Sequence, residues 1–376
     1  MMRCFFSAAL LVIWWTQLFS TTQQLQLDRT NINITYSLPY CSREETKQGR
    51  WKEVALPEPP YVPPDGYKQG IHLGSICPDF TTEVFNTYEW MPHNSSSNRL
   101  GLNLFGSCIF DPWNAREFCS VMQHMGMTSL AIVGDSLSWE HYSSLLMSLG
   151  LHSDPNDQFV SRRSGKSIIR MGCQDTLKLI YRRSDDLKLL PSVIQDENPQ
   201  MFIVNKGSHP EHNEVYEAGW KQSINALEEH ERNLAQLGLP SLVLFRTTVP
   251  GHPLCASYTE PVNNITQMEA AIADKSLYSM KQMLQYRWWT FKAQNEIMSN
   301  LVTASRLRNY HIMDAYDINI LRPDRHRPPD CLHNCFPGKT EVYHQLMLHF
   351  LKVSAHSAHS SASSIVQIRE NNTKER

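Results

Sequence analysis

Four short stretches carry side chains that can move a proton or hold developing charge. Gly134-Asp135-Ser136 places a serine hydroxyl directly after the apolar run Leu130 to Val133. Leu137, Tyr142, Leu145, Leu146 and Leu149 follow it at helical spacing. Ser136 therefore stands at a strand-to-helix turn, beside the positive end of a helix, where open α/β sheets bind their ligands. A serine hydroxyl needs a base to become a nucleophile. Asp330 and His333, three apart on a loop before the last helix, supply the types: His333 as general base, Asp330 to fix its tautomer and stabilise the imidazolium. Asn205 and Gly207 follow another buried run and can aim an amide and a backbone N–H at an oxyanion, together with the backbone of Ser136. Arg246 follows a third run. It suits either the orientation of an acyl donor or sugar or a structural ion pair. Each stretch also has a plainer reading taken singly: a helix cap, a disulfide-stapled turn, an Asn/Gly turn.

The order of elements is what raises these residues above chance. Ile168 to Met171 and Leu177 to Tyr181 read as strands, as do Met201 to Val204, Ser241 to Phe245 and Tyr310 to Met313. Helical spacing runs over Val215 to Leu237, over a long aromatic-rich stretch from Met268 to Leu307, and over a closing segment, Val342 to Leu351. Alternating strands and helices predict an α/β fold in three layers, α/β/α, with a mainly parallel sheet. Residues 41–118 show little periodicity, a Pro-rich stretch from Leu56 to Gly66 and several cysteines; they read as a disulfide-pinned N-terminal wrap around the main domain. The domain itself is expected over residues 41–353, and a disordered tail over 354–376.

The N-terminus, Met1 to Phe19, has one early basic residue and a long apolar run, as in a signal peptide or an uncleaved signal anchor over residues 1–22, followed by a polar stem over 23–40. Beyond Cys4 eight cysteines remain, an even number that points to disulfides in an oxidising compartment. No Cys-x-x-Cys pair suggests zinc, and His209 and His212 lack further ligands, so no metal is expected. Asn33, Asn94, Asn264 and Asn371 head sequons for glycosylation. The net charge of −2 and the lack of a basic stripe argue against nucleic acid as a partner.

The blocks Gly134-Asp135-Ser136-Leu137 and Asp330-Cys331-Leu332-His333, continuing through Cys335 to Pro337-Gly338, resemble the SGNH/GDSL superfamily. More closely, they resemble its PC-esterase family, which includes the plant trichome birefringence-like O-acetyltransferases. Tyr88-Glu89-Trp90-Met91-Pro92 is similar to the aromatic block upstream of that family's serine. The resemblance implies a Ser-His-Asp acyltransferase or esterase of the secretory pathway, Golgi-anchored or secreted. Its acceptor would be a glycan or polysaccharide hydroxyl. No cofactor is bound; acetyl-CoA or another acetyl donor is the co-substrate. It also suggests a Cys255–Cys331 bridge, with Cys77–Cys335 and Cys41–Cys108 as further pairs. Ser208-His209-Pro210 departs from the His-Trp of the plant pattern, which leaves the acceptor sugar open. Three functions follow: an O-acetyltransferase, an esterase using water on the same residues, and a non-enzymatic glycan-binding protein of the same fold.

Overall fold

The computed structural model describes residues 39–55, 77, 86–93, 95–96, 108–154, 156–209, 212–279, 282, 286–327 and 329–374. The expected signal segment, nearly all of the expected stem, and Asn33 and Asn94 lie outside these. Among the described residues no helix is long and apolar enough to cross a membrane.

The chain enters through a short helix, α1 (Arg43–Lys47), started by a reciprocal cap between Ser42 and Glu45. Two strands, β1 (Gly49–Ala55) and β2 (Asn86–Pro92), then pair antiparallel, and two short ones, β3 (Ser95–Ser96) and β4 (Cys108–Ile109), pair parallel. These strands lie in the stretch expected as a disulfide-pinned wrap, of which residues 56–76, 78–85, 94 and 97–107 fall outside the described residues. Trp51, on β1, donates its indole N–H to the Ile318 carbonyl at 3.0 Å, and Trp90, on β2, donates to Thr46 at 2.8 Å. A tryptophan so placed buries its ring and still satisfies its polar end; Trp51 thereby joins this stretch to the main domain, and Trp90 ties β2 to α1 within it.

The main domain runs α2 (Ala115–His124), β5 (Ser129–Gly134), α3 (Ser136–Ser148), α4 (Asp157–Ser164), β6 (Ile168–Gly172), β7 (Leu177–Arg183), α5 (Leu190–Glu197), β8 (Met201–Val204), α6 (Asn213–Gln236), β9 (Leu242–Arg246), α7 (Ile265–Ala273), α8 (Phe291–Thr303), β10 (Tyr310–Met313), α9 (Ala315–Asn319) and α10 (Glu341–Lys374). One six-stranded sheet has the order β10-β9-β8-β5-β7-β6. Every neighbouring pair is parallel except β6 with β7, so β6 closes one edge antiparallel.

Both faces of the sheet are covered, which is why its central strands read as unbroken apolar runs. Leu130, Ile132, Leu179, Ile203 and Leu244 point to one side and pack with Leu137, Leu145, Leu346 and Leu351 of α3 and α10. Ala131, Val133, Ile180, Phe202 and Phe245 point to the other and meet Val193, Trp220, Leu227 and Met298 of α5, α6 and α8. The period of two along each strand divides the two layers.

Four disulfides form: Cys41–Cys108, Cys77–Cys335, Cys119–Cys173 and Cys255–Cys331. Three of them are the expected pairings. The fourth ties α2 to the turn between β6 and β7.

Two expectations need correction. The stretch from Met268 to Leu307 is not one helix: α7 ends at Ala273 and α8 starts at Phe291, and the described residues between them include short 3-10 turns at Lys275–Leu277 and Trp288–Thr290. Tyr278, Tyr286 and Trp288 turn inward there as one aromatic cluster, with Trp288 stacked at 6.3 Å on Tyr286 and 5.1 Å from Tyr278. Their spacing of eight and two residues fits no helical face, and Arg287 between them is left-handed, at φ 45°. The tail expected to be disordered from residue 354 instead continues α10 to Lys374. No glycine or proline follows Gly338 in the sequence, so nothing in the backbone stops the helix.

Candidate active site

β5 lies where the sheet changes direction: β7 follows on one side, β8, β9 and β10 on the other. The crevice beyond its carboxyl end is the topological switch point. Ser136 stands there as the first residue of α3, 4% exposed.

The turn that presents Ser136 is built by its two neighbours. Any Cβ at Gly134 would overlap Ser138 Oγ and the Asn205 carbonyl, so only glycine passes between β5 and the β8 loop. Asp135 caps α3. One carboxylate oxygen accepts from the Leu137 N–H at 2.9 Å, and the other accepts from the Ser208 N–H at 2.8 Å and its hydroxyl at 2.7 Å. Burial opposes the charge on Asp135. The neighbouring His209 and Arg183 and the Ser208 bonds outweigh it and hold the group at about 2. Asp135 is thus an anion at neutral pH that shapes the turn.

His333 comes from the loop before α10. Its Nε2 accepts from the Ser136 hydroxyl at 2.8 Å, and its Nδ1–H donates to Asp330 Oδ2 at 2.7 Å. The carboxylate therefore fixes the tautomer that leaves a lone pair facing Ser136. The other Asp330 oxygen accepts from the backbone N–H groups of Leu332 and His333, which holds loop and ring together. Cys331, between them, is left-handed at φ 58°, which costs about 1–2 kcal/mol for a residue with a side chain. Its disulfide to Cys255, and that of Cys335 to Cys77, fasten the loop on both sides of His333.

Burial works against the imidazolium, but the bond to Asp330 and the negative charges of Glu140 and Asp330 prevail, so the His333 pKa lies above the ordinary histidine value. Asp330 lies below the usual carboxylate range: His333 and Arg327 more than offset its burial. The Tyr286 ring stands edge-on to His333 at 6.4 Å, and burial beside Asp330 and Asp135 pushes its hydroxyl up to about 12.

The other expected site residues are placed differently. Both amide hydrogens of Asn205 are used internally, on the Arg246 carbonyl at 2.8 Å and the Thr248 hydroxyl at 3.0 Å. Its amide faces inward and is not an oxyanion donor in this arrangement. Gly207 lies against Asp135, where a Cβ would come 2.5 Å from Oδ2; it permits that close approach. Arg246 is buried and orients no ligand. It donates to the Leu137 carbonyl, Ser138 Oγ and Asn205 Oδ1 and lies over the Tyr343 ring at 4.7 Å, so it braces the first turn of α3 from below. Within the first turn of α3 the Leu137 N–H is taken by Asp135 Oδ1 and the Trp139 N–H by the Asp135 carbonyl, which leaves the backbone N–H of Ser136, for which the helix supplies no internal acceptor, as the expected donor. Asn264 is exposed and caps α7; Asn371 lies in α10. Among the described residues no group of three or more metal-ligating side chains occurs.

Two further residues border the site unexpectedly. Arg183 ends β7 in register with Gly134 and pairs with Asp185. Glu140, four residues beyond Ser136 on α3, is wholly buried and holds Asn334. The four-residue spacing was a readable signal, because it puts Glu140 on the serine's face of the helix.

Comparison with known proteins finds no family model that matches the chain and no matching curated protein. The geometry therefore speaks for itself: hydroxyl, imidazole and carboxylate in hydrogen-bonded series can pass one proton from Ser136 while Asp330 balances the charge.

Proposed function

We propose that the protein is an O-acyltransferase of the secretory pathway that moves an acetyl group onto a glycan or polysaccharide hydroxyl through Ser136, His333 and Asp330. The observation that carries this reading is the unbroken series Asp330–His333–Ser136, with bonds of 2.7 and 2.8 Å, at the switch point of the sheet. The fold it implies is that of the SGNH hydrolases, in the PC-esterase manner, and the four disulfides suit an oxidising lumen such as the Golgi, with the N-terminal segment as anchor.

Ser136 Oγ attacks the carbonyl carbon of acetyl-CoA or another acetyl donor as its proton passes to His333 Nε2. The tetrahedral oxyanion meets the backbone N–H of Ser136 and the positive end of α3. His333 returns the proton to the leaving group, and acetyl-Ser136 remains. A sugar hydroxyl then gives its proton to His333 and attacks the ester, and Ser136 leaves with the proton restored. Water in place of the sugar would make the same residues an esterase.

The test is to mix the purified protein with acetyl-CoA and a panel of oligosaccharides and follow acetyl-oligosaccharide and free acetate by mass spectrometry. Acetyl on sugar in excess of acetate supports transfer; acetate alone assigns an esterase. Neither product above the level given by Ser136→Ala would overturn both and favour a glycan-binding role.

A further inference from the structure

The nucleophile's helix also grips the loop of the base. Glu140 and Ser136 are four residues apart, one turn, on the same face of α3. One Glu140 oxygen accepts from the backbone N–H of Asn334 at 3.0 Å and the other from its side-chain amide at 2.8 Å. Asn334 directly follows His333, and both Glu140 and Asn334 are at most 1% exposed. A single rigid turn of helix thus fixes the distance between the attacking oxygen and the backbone that carries its proton acceptor.

A clamp alone does not call for a charge. Burying a carboxylate costs several kcal/mol, and a neutral amide could hold Asn334 as well. The surroundings show what the charge acts on. Burial raises the Glu140 pKa above the ordinary carboxylate value, opposed by His333 and Arg327 of the loop and by the two Asn334 bonds; its charge acts in turn on Arg246 of β9 and on Lys339 and Tyr343 around the start of α10. His333 is the member of this group that gains a positive charge when Ser136 loses its proton. Asp330 meets the ring at Nδ1; Glu140 adds a second negative charge from the side of the serine's helix.

We infer that Glu140 is the positioning residue of this site: through Asn334 it sets the reach of His333 to Ser136, and through its charge it stabilises the imidazolium formed during proton transfer. The inference rests on the acyl-transfer reading above.

The experiment measures kcat and KM for hydrolysis of an aryl acetate against pH in the wild type, Glu140→Gln, Glu140→Ala and Ser136→Ala. Glu140→Gln keeps the clamp. Its carbonyl accepts the Asn334 N–H and its amide donates to Asn334 Oδ1, an atom that is buried without a partner among the described residues, once the Asn334 amide turns over. With the charge gone the imidazolium is less favoured, neutral His333 persists to lower pH, and the acid limb of kcat/KM moves to lower pH. Glu140→Ala loses clamp and charge, and kcat falls about 10–100-fold at nearly constant KM, as when an outer partner of a functional histidine is removed at metal centres. If Glu140→Ala fails to fold, the Gln variant carries the test. A Gln variant with an unmoved pH profile and only a lower melting temperature makes Glu140 structural and overturns the inference. Wild-type turnover no higher than Ser136→Ala overturns instead the acyl-transfer reading on which it rests.

Discussion

At the scale of single residues, role follows the direction of the side chain as much as its position. Ser136, Arg246 and Asn205 all stand at or just beyond the carboxyl ends of parallel strands, and residue type with order was enough to pick them out. Only Ser136 faces the crevice. Arg246 and Asn205 satisfy each other beneath it, a pairing that no spacing along the chain reveals. Among the described residues the Ser136 hydroxyl bonds only to His333, so Ser136→Ala should abolish turnover while a thermal melt moves by no more than about 1 kcal/mol in stability. Asp330→Asn should turn the imidazole to the wrong tautomer and lower turnover by about 10⁴-fold, as in serine hydrolases. Because neutral His333 is the base and its pKa is raised, kcat/KM should rise with pH through a midpoint above the ordinary histidine value. Asp135 makes a separate prediction about stability. Its pKa of about 2 in the fold lies below the ordinary 3.8, so its contribution is complete above the higher value and is lost as pH falls through the lower. The difference is worth about 2 kcal/mol. Asp135→Asn, which also turns an acceptor on Ser208 into a donor, should melt earlier at neutral pH, and the gap to wild type should close in acid.

Among the elements, the strands were the most legible. A strand buried on both faces in a parallel sheet is apolar throughout, and Met201–Val204 lies where that pattern put it. The break between α7 and α8 was hidden, because helical spacing cannot show that an aromatic cluster will override it. The loop from Arg322 to Thr340 was legible in its chemistry but not in how it is held. Its tethers are the disulfides at Cys331 and Cys335 and the hold of α3 on Asn334. The Cys255–Cys331 bridge closes 76 residues of chain, for which loop entropy predicts about 4 kcal/mol of stabilisation. Replacing both cysteines by serine should lower the urea midpoint accordingly. Activity at temperatures well below the melt should fall as well, since Cys331 lies between Asp330 and His333. Full activity in a folded double-serine variant would show that the loop needs no tether.

For the molecule as a whole, the α/β order was readable because each element repeats one pattern, whereas the wrap has no period and is held by contacts distant in sequence. Cys41–Cys108 lies within it and Cys77–Cys335 joins it to the loop of His333. Under mild reduction, limited proteolysis should therefore cut residues 41–110 before the sheet; cleavage within β5 or β8 first would contradict this. The site itself is a product of the complete fold, since Ser136 and His333 are 197 residues apart in the chain. The most direct test of their coupling is peptide mass spectrometry after brief exposure to an acetyl donor and an acid quench. The account predicts one acetyl group on the peptide that contains Ser136, formed faster as pH rises and almost absent in His333→Ala. An unmodified Ser136 in wild type, or equal labelling in His333→Ala, would contradict it.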